Sequence, residues 1–305
     1  MGILQRAGST RLLATSLCAL ACLAPAAPAA AEPFPLAHFD FGGIPRTYLL
    51  HTPPGEPTGL VLNLHAAGLT STDQANLTHY NAVADAHGFV VAYPDGIDFS
   101  WADGRGASIP DQQGIDDVGF LSALVQRLVT DFGIDPGRVF VTGLSAGAFM
   151  ANRLACDRAD LIAAIAPVGG TLGVGVPCAP SRPVFVLATF GTADWIVPFN
   201  GGPMVGRGGG STIVPAQALV DMWRQLGGCT GPTEAALPNV GDGMPSFRSN
   251  APCADGTAVD FIRVDGGGHT WPGAPTVLSE QQVGRTTRAF DASADSAQFF
   301  DTHGR

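Results

Sequence analysis

Residues 139–156, VFVTGLSAGAFMANRLAC, run from a β-branched apolar stretch through three small residues into a helix-forming segment. The pattern reads strand, corner, helix, with Ser145 at the tip and Gly143 and Gly147 on either side. At such a G-x-S-x-G corner the strand and helix approach closely, which leaves no room for side chains at the flanking positions. The helix N-terminus then presents backbone N–H groups and a partial positive charge to the serine oxygen. In a chain with 40 glycines this spacing can arise by chance. Its setting between an apolar strand and a helix is what gives it weight.

Working outward, apolar strands alternate with amphipathic helices. HFDF and RTYLLHTP read as a hairpin across the GGIP turn, and GLVLNLH (59–65) as a buried strand. A helix is expected from Asp73 to His87, a strand at FVVAYP (89–94), and a second helix over 117–133 with Gly133 as its stop. LIAAIAPV, RPVFVLATFG and AVDFIRVDGG read as further strands, PAQALVDMWRQLGG and DASADSAQFFDTHG as helices. The Gly-rich stretch 200–212 reads as a surface loop, since no G-K-[ST] follows to make it a phosphate cradle. This alternation predicts an α/β fold, a mainly parallel central sheet with helices on both faces.

The first 31 residues stand apart. Arg6 and Arg11 precede the apolar run Leu12–Leu23, then APAAPAAAEP with small residues at A-x-A spacing. That is the layout of a secretory signal peptide, and the run is too short to span a bilayer. Cleavage is expected after Ala31, with Ala29 as the alternative. Cys22 sits in a poor lipid-attachment context. A single catalytic domain is expected over residues 32–305, exported to the periplasm or beyond. Loss of Arg6 and Arg11 takes the formal charge from −10 to −12. An exported acidic chain is a poor partner for nucleic acid or anionic membranes. Lys is absent altogether, which excludes Ser–Lys dyads, Schiff bases and Walker-type loops. Four cysteines follow the leader: Cys156, Cys178, Cys229 and Cys253. They allow three connectivities, of which the local one, 156 with 178 and 229 with 253, is favoured in an oxidising compartment. No metal site is expected, because there is no C-x-x-C and no histidine at ligand spacing from these cysteines.

Ser145 needs a base, and the base an orienting acid. Only His269 and His303 follow it; His303, near the C-terminus, reads as solvated, while His269 sits in VDGGGHTWPG just past the last strand. Asp194 in ATFGTADWIVP follows the preceding strand and is preferred as the acid over Asp221, Asp242, Asp255 and Asp265. An oxyanion would be met by the backbone N–H of Ala146 and by that of Ala67, with Ala66 as fallback, in LNLHAAGLTST. His65, in the same loop, reads as a loop-ordering residue. Trp101, Trp195 and Trp271 fall in loops at the same edge and are candidates to wall a substrate cleft, whereas Trp223 reads as core.

Taken together, LHAAG, VVAYPDG, SWADGRG, DDVGFLSALV, DPGRVFVTGLSAGAFMANRLAC, GTADWIVPFNGG and GGGHTWPG resemble the secreted polyhydroxybutyrate depolymerase and feruloyl esterase family, over roughly residues 40–303. The resemblance implies an α/β-hydrolase that cleaves carboxylic esters with no metal or organic cofactor. It also implies Ser145, Asp194 and His269 as its triad and the N–H groups of Ala67 and Ala146 at the oxyanion. Departures occur at Ala66, where the family often has Gly, at Ala146, where a polar residue is common, and at Trp195, where a smaller residue or proline is frequent. No polymer-binding module is in view, which tilts the expectation toward oligomeric or soluble esters. An acyltransferase with the same triad, a serine peptidase, and a non-catalytic exported binding protein are the competing readings. Acyl and alcohol specificity and oligomeric state are not encoded in any motif.

Overall fold

In the computed structural model, which describes Gly2 and residues 36–275 and 278–304, the apolar runs become neighbouring strands of one sheet. The expected leader over 1–31 lies, Gly2 apart, outside the described residues. The opening hairpin is β1 (Leu36–Phe41) and β2 (Ile44–His51), turning at Gly42 and Gly43, both at positive φ. Then come β3 (Gly59–Leu64), α1 (Ser71–Thr78), α2 (Tyr80–His87), β4 (Phe89–Pro94), α3 (Ile109–Gln113) and α4 (Asp117–Phe132). The serine corner joins β5 (Val139–Leu144) to α5 (Ala146–Asp157). β6 (Ala164–Val168), β7 (Phe185–Gly191), β8 (Gly202–Gly206), β9 (Gly209–Ile213) and α6 (Ala216–Leu226) follow. The chain ends through β10 (Thr233–Ala236), β11 (Ser246–Pro252), β12 (Ala258–Val264), α7 (Glu280–Val283) and α8 (Ala292–Thr302).

The sheet runs β1-β2-β4-β3-β5-β6-β7-β12-β11-β10. Its six middle strands, β4 to β12 in that order, are mutually parallel, and an antiparallel pair flanks them on each side. Strands β3, β4, β5, β6 and β7 are buried along their whole length, because helices cover both faces. The period-2 alternation divides each strand between two cores. Leu60, Leu62 and Leu64 of β3 pack with Phe120, Leu124, Met150 and Trp223 from α4, α5 and α6. Val61 of β3 and Phe140 of β5 face Tyr80, Ala84 and Phe300 from α2 and α8. There Phe140 stacks on Phe300 with ring centroids 4.8 Å apart. Burying one such ring contributes about 1.5–3 kcal/mol.

Three expectations are corrected. The single helix over 73–87 is two, because His79 is left-handed at φ 47° and its N–H caps α1 through Ala75 O. A buried amide chain, Gln74 to Asn63 to Thr78, pins α1 to β3, while the Tyr80 hydroxyl pairs with Ser296 of α8, so the two helices are held by different partners. The stretch 200–212 is not an open loop but the β8–β9 hairpin, a separate two-stranded sheet. His303 is not free in solvent: its Nδ1 meets Phe299 O and its ring packs on Phe185 and Phe299. The cysteines form the local pairs, Cys156–Cys178 and Cys229–Cys253. Among the described residues no helix is long and apolar enough to cross a membrane.

Candidate active site

Parallel strands deliver their following loops to one edge of a sheet, and the loops after β3, β5, β7 and β12 gather there. Ser145 heads α5 with φ 56° and ψ −117°, a conformation that costs a side-chain-bearing residue free energy and persists only where the surroundings impose it. They do so here. Ser145 N–H donates to Val168 O at the end of β6, and Ser145 O accepts from Phe149 N–H in the first turn of α5. Both flanking glycines are sterically required: a Cβ on Gly147 would lie 2.1 Å from Leu64 O, and one on Gly143 2.6 Å from the same atom.

Asp194 is fixed by an Asx turn. Its Oδ1 accepts from the N–H groups of Ile196 and Val197, both at 2.9 Å, which leaves Oδ2 to face His269 Nδ1 at 2.7 Å. Both side chains are buried. The glycines before His269 allow its loop to fold against the sheet. A Cβ on Gly268 would lie 2.3 Å from Val283 O, and the carbonyls of Val283 and Arg285 accept from His269 and Gly268 N–H. Ser145 and His269 line one cavity of about 450 Å³, a volume suited to a small organic ligand. No hydrogen bond joins their side chains among the described residues; they meet across the cavity.

Ala67 and Ala146 also line that cavity, and neither backbone N–H donates to another described residue. The loop that carries Ala67 is ordered by His65. The imidazole Nε2 accepts from Gly96 N–H at 2.9 Å, Nδ1 donates to Ala66 O at 2.9 Å, and Trp101 Nε1 donates to His65 O. Burial pushes the His65 pKa down, keeping the ring neutral in this one tautomer.

The tryptophans divide. Trp271 reaches the cavity wall while its Nε1 donates to Ser293 Oγ of α8. Trp101 is fully buried beneath the His65 ring and does not line the cavity. Trp195 is 55% exposed and lies over Gly284, outside the cavity; its neighbour Ile196 takes the place in the wall. Of the three tryptophans expected to wall the cleft, Trp271 alone lines this cavity; Trp101 lies under the loop that follows β3 and Trp195 stands at the surface beside Gly284. Of the rejected carboxylates, Asp265 pairs with Arg263, Asp221 with Gln217, and Asp242 with Thr287, Arg288 and Met244.

Residues that the linear pattern did not disclose complete the wall. Phe149 follows Ser145 by one helical turn, and Met204, Val205 and Arg207 arrive on the β8–β9 hairpin, with Arg105 between them. Only the strand-like placement of apolar residues in GPMVG could have signalled the hairpin.

Residues 46–181 match the esterase PHB depolymerase family. The chain is 33% identical over 277 residues to the putative esterase NocK of Nocardia uniformis subsp. tsuyamanensis, covering 85% of this chain and 79% of that protein. It is 33% identical over 159 residues to feruloyl esterase B of Piromyces equi, across 50% of this chain and 29% of that longer protein. Among solved structures, an acetyl xylan esterase from Aspergillus awamori superposes with a TM-score of 0.54 at 18% identity, over 74% of this chain and 89% of that one. At that identity the likeness is one of fold, the α/β-hydrolase fold. With a serine corner, an Asp–His pair and a mainly apolar cavity at one sheet edge, the chain belongs to the esterase PHB depolymerase family and is a carboxylic ester hydrolase.

Proposed function

We propose that this protein is an exported serine esterase in which Ser145, His269 and Asp194 form the catalytic triad. The observation that carries the reading is the Asp194–His269 pair. With Oδ1 committed to two backbone N–H groups, Asp194 Oδ2 receives Nδ1–H at 2.7 Å, which leaves Nε2 as the basic atom beside the cavity that Ser145 lines. The Ser145–His269 hydrogen bond belongs to the substrate complex, since such contacts are commonly loose without substrate.

Ser145 Oγ attacks the ester carbonyl carbon while its proton passes to His269 Nε2. The carbonyl oxygen becomes an oxyanion that accepts from the N–H groups of Ala67 and Ala146, both free of other partners among the described residues. Asp194 stabilises the imidazolium without taking the proton. The tetrahedral centre expels the alcohol, which leaves with the proton from His269, and an acyl-Ser145 ester remains. Water, deprotonated by His269, attacks that ester and releases the acid, returning the proton to Ser145.

The cavity wall is mainly apolar, which suits esters of hydrocarbon-rich acids such as hydroxyalkanoate oligomers or the aryl esters of plant polysaccharides. Two disulfides and the leader-like N-terminus support export. The test is to assay p-nitrophenyl esters, methyl ferulate, acetylated xylan and 3-hydroxybutyrate oligomers with the parent and Ser145→Ala proteins, alongside fluorophosphonate labelling. The parent should be labelled at Ser145 and hydrolyse at least one ester class. Ser145→Ala should escape labelling and retain only roughly 10³–10⁴ over the uncatalysed rate. A fully active Ser145→Ala protein would refute the triad.

A further inference from the structure

One residue in the wall of this cavity, Arg105, belongs to a buried charge pair that the hydrolytic steps do not use. Asp103 and Arg105 lie in the turn-rich segment between β4 and α3, with side chains 1% and 5% exposed. Asp103 Oδ1 accepts from Arg105 Nε at 2.8 Å and Oδ2 from Nη2 at 2.7 Å, a bidentate pair. The guanidinium carbon sits 3.6 Å from the centre of the Phe149 ring, so its plane is held against the helix that carries Ser145. From the hairpin, Met204 Sδ accepts from Nη1 at 3.2 Å, and thioether sulfur is a weak acceptor. Arginine has five N–H donors. Two go to Asp103 and one to sulfur, so two have no acceptor among the described residues, although the side chain is more than nine-tenths buried and lines the cavity.

Donors left unmet in an apolar wall carry a cost that a ligand acceptor removes. Arg105 is already neutralised by Asp103, so a carboxylate brought against it would add an unpaired charge against a mainly apolar wall. An uncharged ether, hydroxyl or carbonyl oxygen adds none. We propose that Arg105 is a specificity-determining residue that donates to a neutral oxygen within the acyl group, selecting oxygen-bearing acyl chains over plain hydrocarbon ones. The acyl side is indicated because Phe149, on which Arg105 rests, lies one turn beyond Ser145, and the acyl group stays bonded to Ser145 through both half-reactions. The other cation in the wall, Arg207, differs in kind: it is 42% exposed at the rim and only 3.6 Å from Asp98.

The proposal rests on Ser145 as the nucleophile, and its test separates the two. The probes are p-nitrophenyl hexanoate and its isosteric oxa analogues, each with a single chain CH₂ replaced by oxygen at successive positions. Ratios of kcat/KM between an oxa ester and hexanoate are compared across the parent, Arg105→Met, and Asp103→Asn/Arg105→Met, the last leaving no uncompensated buried carboxylate should Arg105→Met alone fail to fold. In the parent at least one oxa ester should be favoured, and that preference should fall on the order of tenfold in both variants, as loss of one charged hydrogen bond predicts. Ratios unchanged within twofold would overturn the proposal, as would an equal fall for all the esters, which marks Arg105 as packing alone. A preference that survives these changes but disappears in Arg207→Met would assign the recognition to the rim and overturn it equally. A Ser145→Ala protein that still cleaves hexanoate at the parent rate would instead bring down the nucleophile.

Discussion

Ser145 combines the nucleophilic role proposed for it with an unfavourable backbone. At φ 56° its Cβ crowds the following carbonyl, at roughly 1–2 kcal/mol for an L-residue, a cost glycine escapes. Removing the hydroxyl and relieving the strain are therefore separable. Ser145→Ala should lose activity while keeping the strain, whereas Ser145→Gly should lose activity and gain about 1 kcal/mol over the alanine variant. Urea unfolding midpoints of the two inactive proteins measure the difference, and equal midpoints would show that the corner stores no strain. His65 obeys the opposite logic, being buried for its hydrogen bonds and not for chemistry. Because burial lowers its folded-state pKa, the unfolded chain takes up the proton first as pH falls. His65 therefore costs stability as pH drops below about 6.5, its ordinary value, and His65→Gln should flatten that part of a stability–pH curve.

At the scale of elements, the loop bearing His269 is held from behind by a strap, residues 283–288, and the strap is stapled by Asp242. Asp242 Oδ2 accepts from Thr287 Oγ1 at 2.7 Å and from Arg288 N–H at 3.1 Å, and Oδ1 from Met244 N–H. Its main-chain carbonyl accepts from Arg285 Nη2. The Thr287 hydroxyl leads in holding the Asp242 carboxyl below the usual carboxylate range. A depressed pKa contributes stability that is present above the unfolded value, near about 4, and lost as pH falls through the folded one. Asp242→Asn should thus cost about 1 kcal/mol near neutrality, discounted for solvent screening, and nothing in strong acid. Its kcat should also fall several-fold as the histidine loop loosens, while KM moves less. Matched urea titrations at neutral and acid pH, with kinetics, check both; a stability gap that persists in strong acid would exclude the carboxylate as its source. Asp242 was readable in the sequence only as a turn residue, because its partners lie 45 and 46 positions away. The same limit hid β10 and β11. β10 at the sheet edge and β11 beside it carry exposed or mixed residues, whose period-2 signal is weak, whereas β3 to β7 are buried throughout and mainly apolar, and stood out.

Across the whole molecule, what the sequence made legible was whatever depends on local chemistry: the serine corner, the pairing of Asp194 with His269, the buried strands and the local cysteine pairs. What it concealed is long-range. Trp101, Trp195 and Trp271 share a loop context, yet one lies under the loop that carries Ala67, one behind the strap and one in the wall, and only packing distinguishes them. The disulfides show how local links serve the global frame. Cys156–Cys178 closes the segment that leaves α5, forms β6 and turns at Gly169 and Gly170, where a Cβ on Gly169 would lie 3.3 Å from His269 Nδ1. Cys229–Cys253 closes the β10–β11 edge against the end of α6, and none of its enclosed residues lines the cavity. Each loop, closed over a separation of 22 or 24 residues, restricts the unfolded chain and should contribute about 3 kcal/mol. Cys229→Ala/Cys253→Ala should therefore lower the guanidinium midpoint while leaving kcat/KM intact under native conditions. Cys156→Ala/Cys178→Ala should lose comparable stability and also lower kcat/KM, because the turn it tethers packs directly on the Asp194–His269 pair. Equal effects of the two double variants on kcat/KM would show that the tether acts on stability alone and that the turn keeps its place without it.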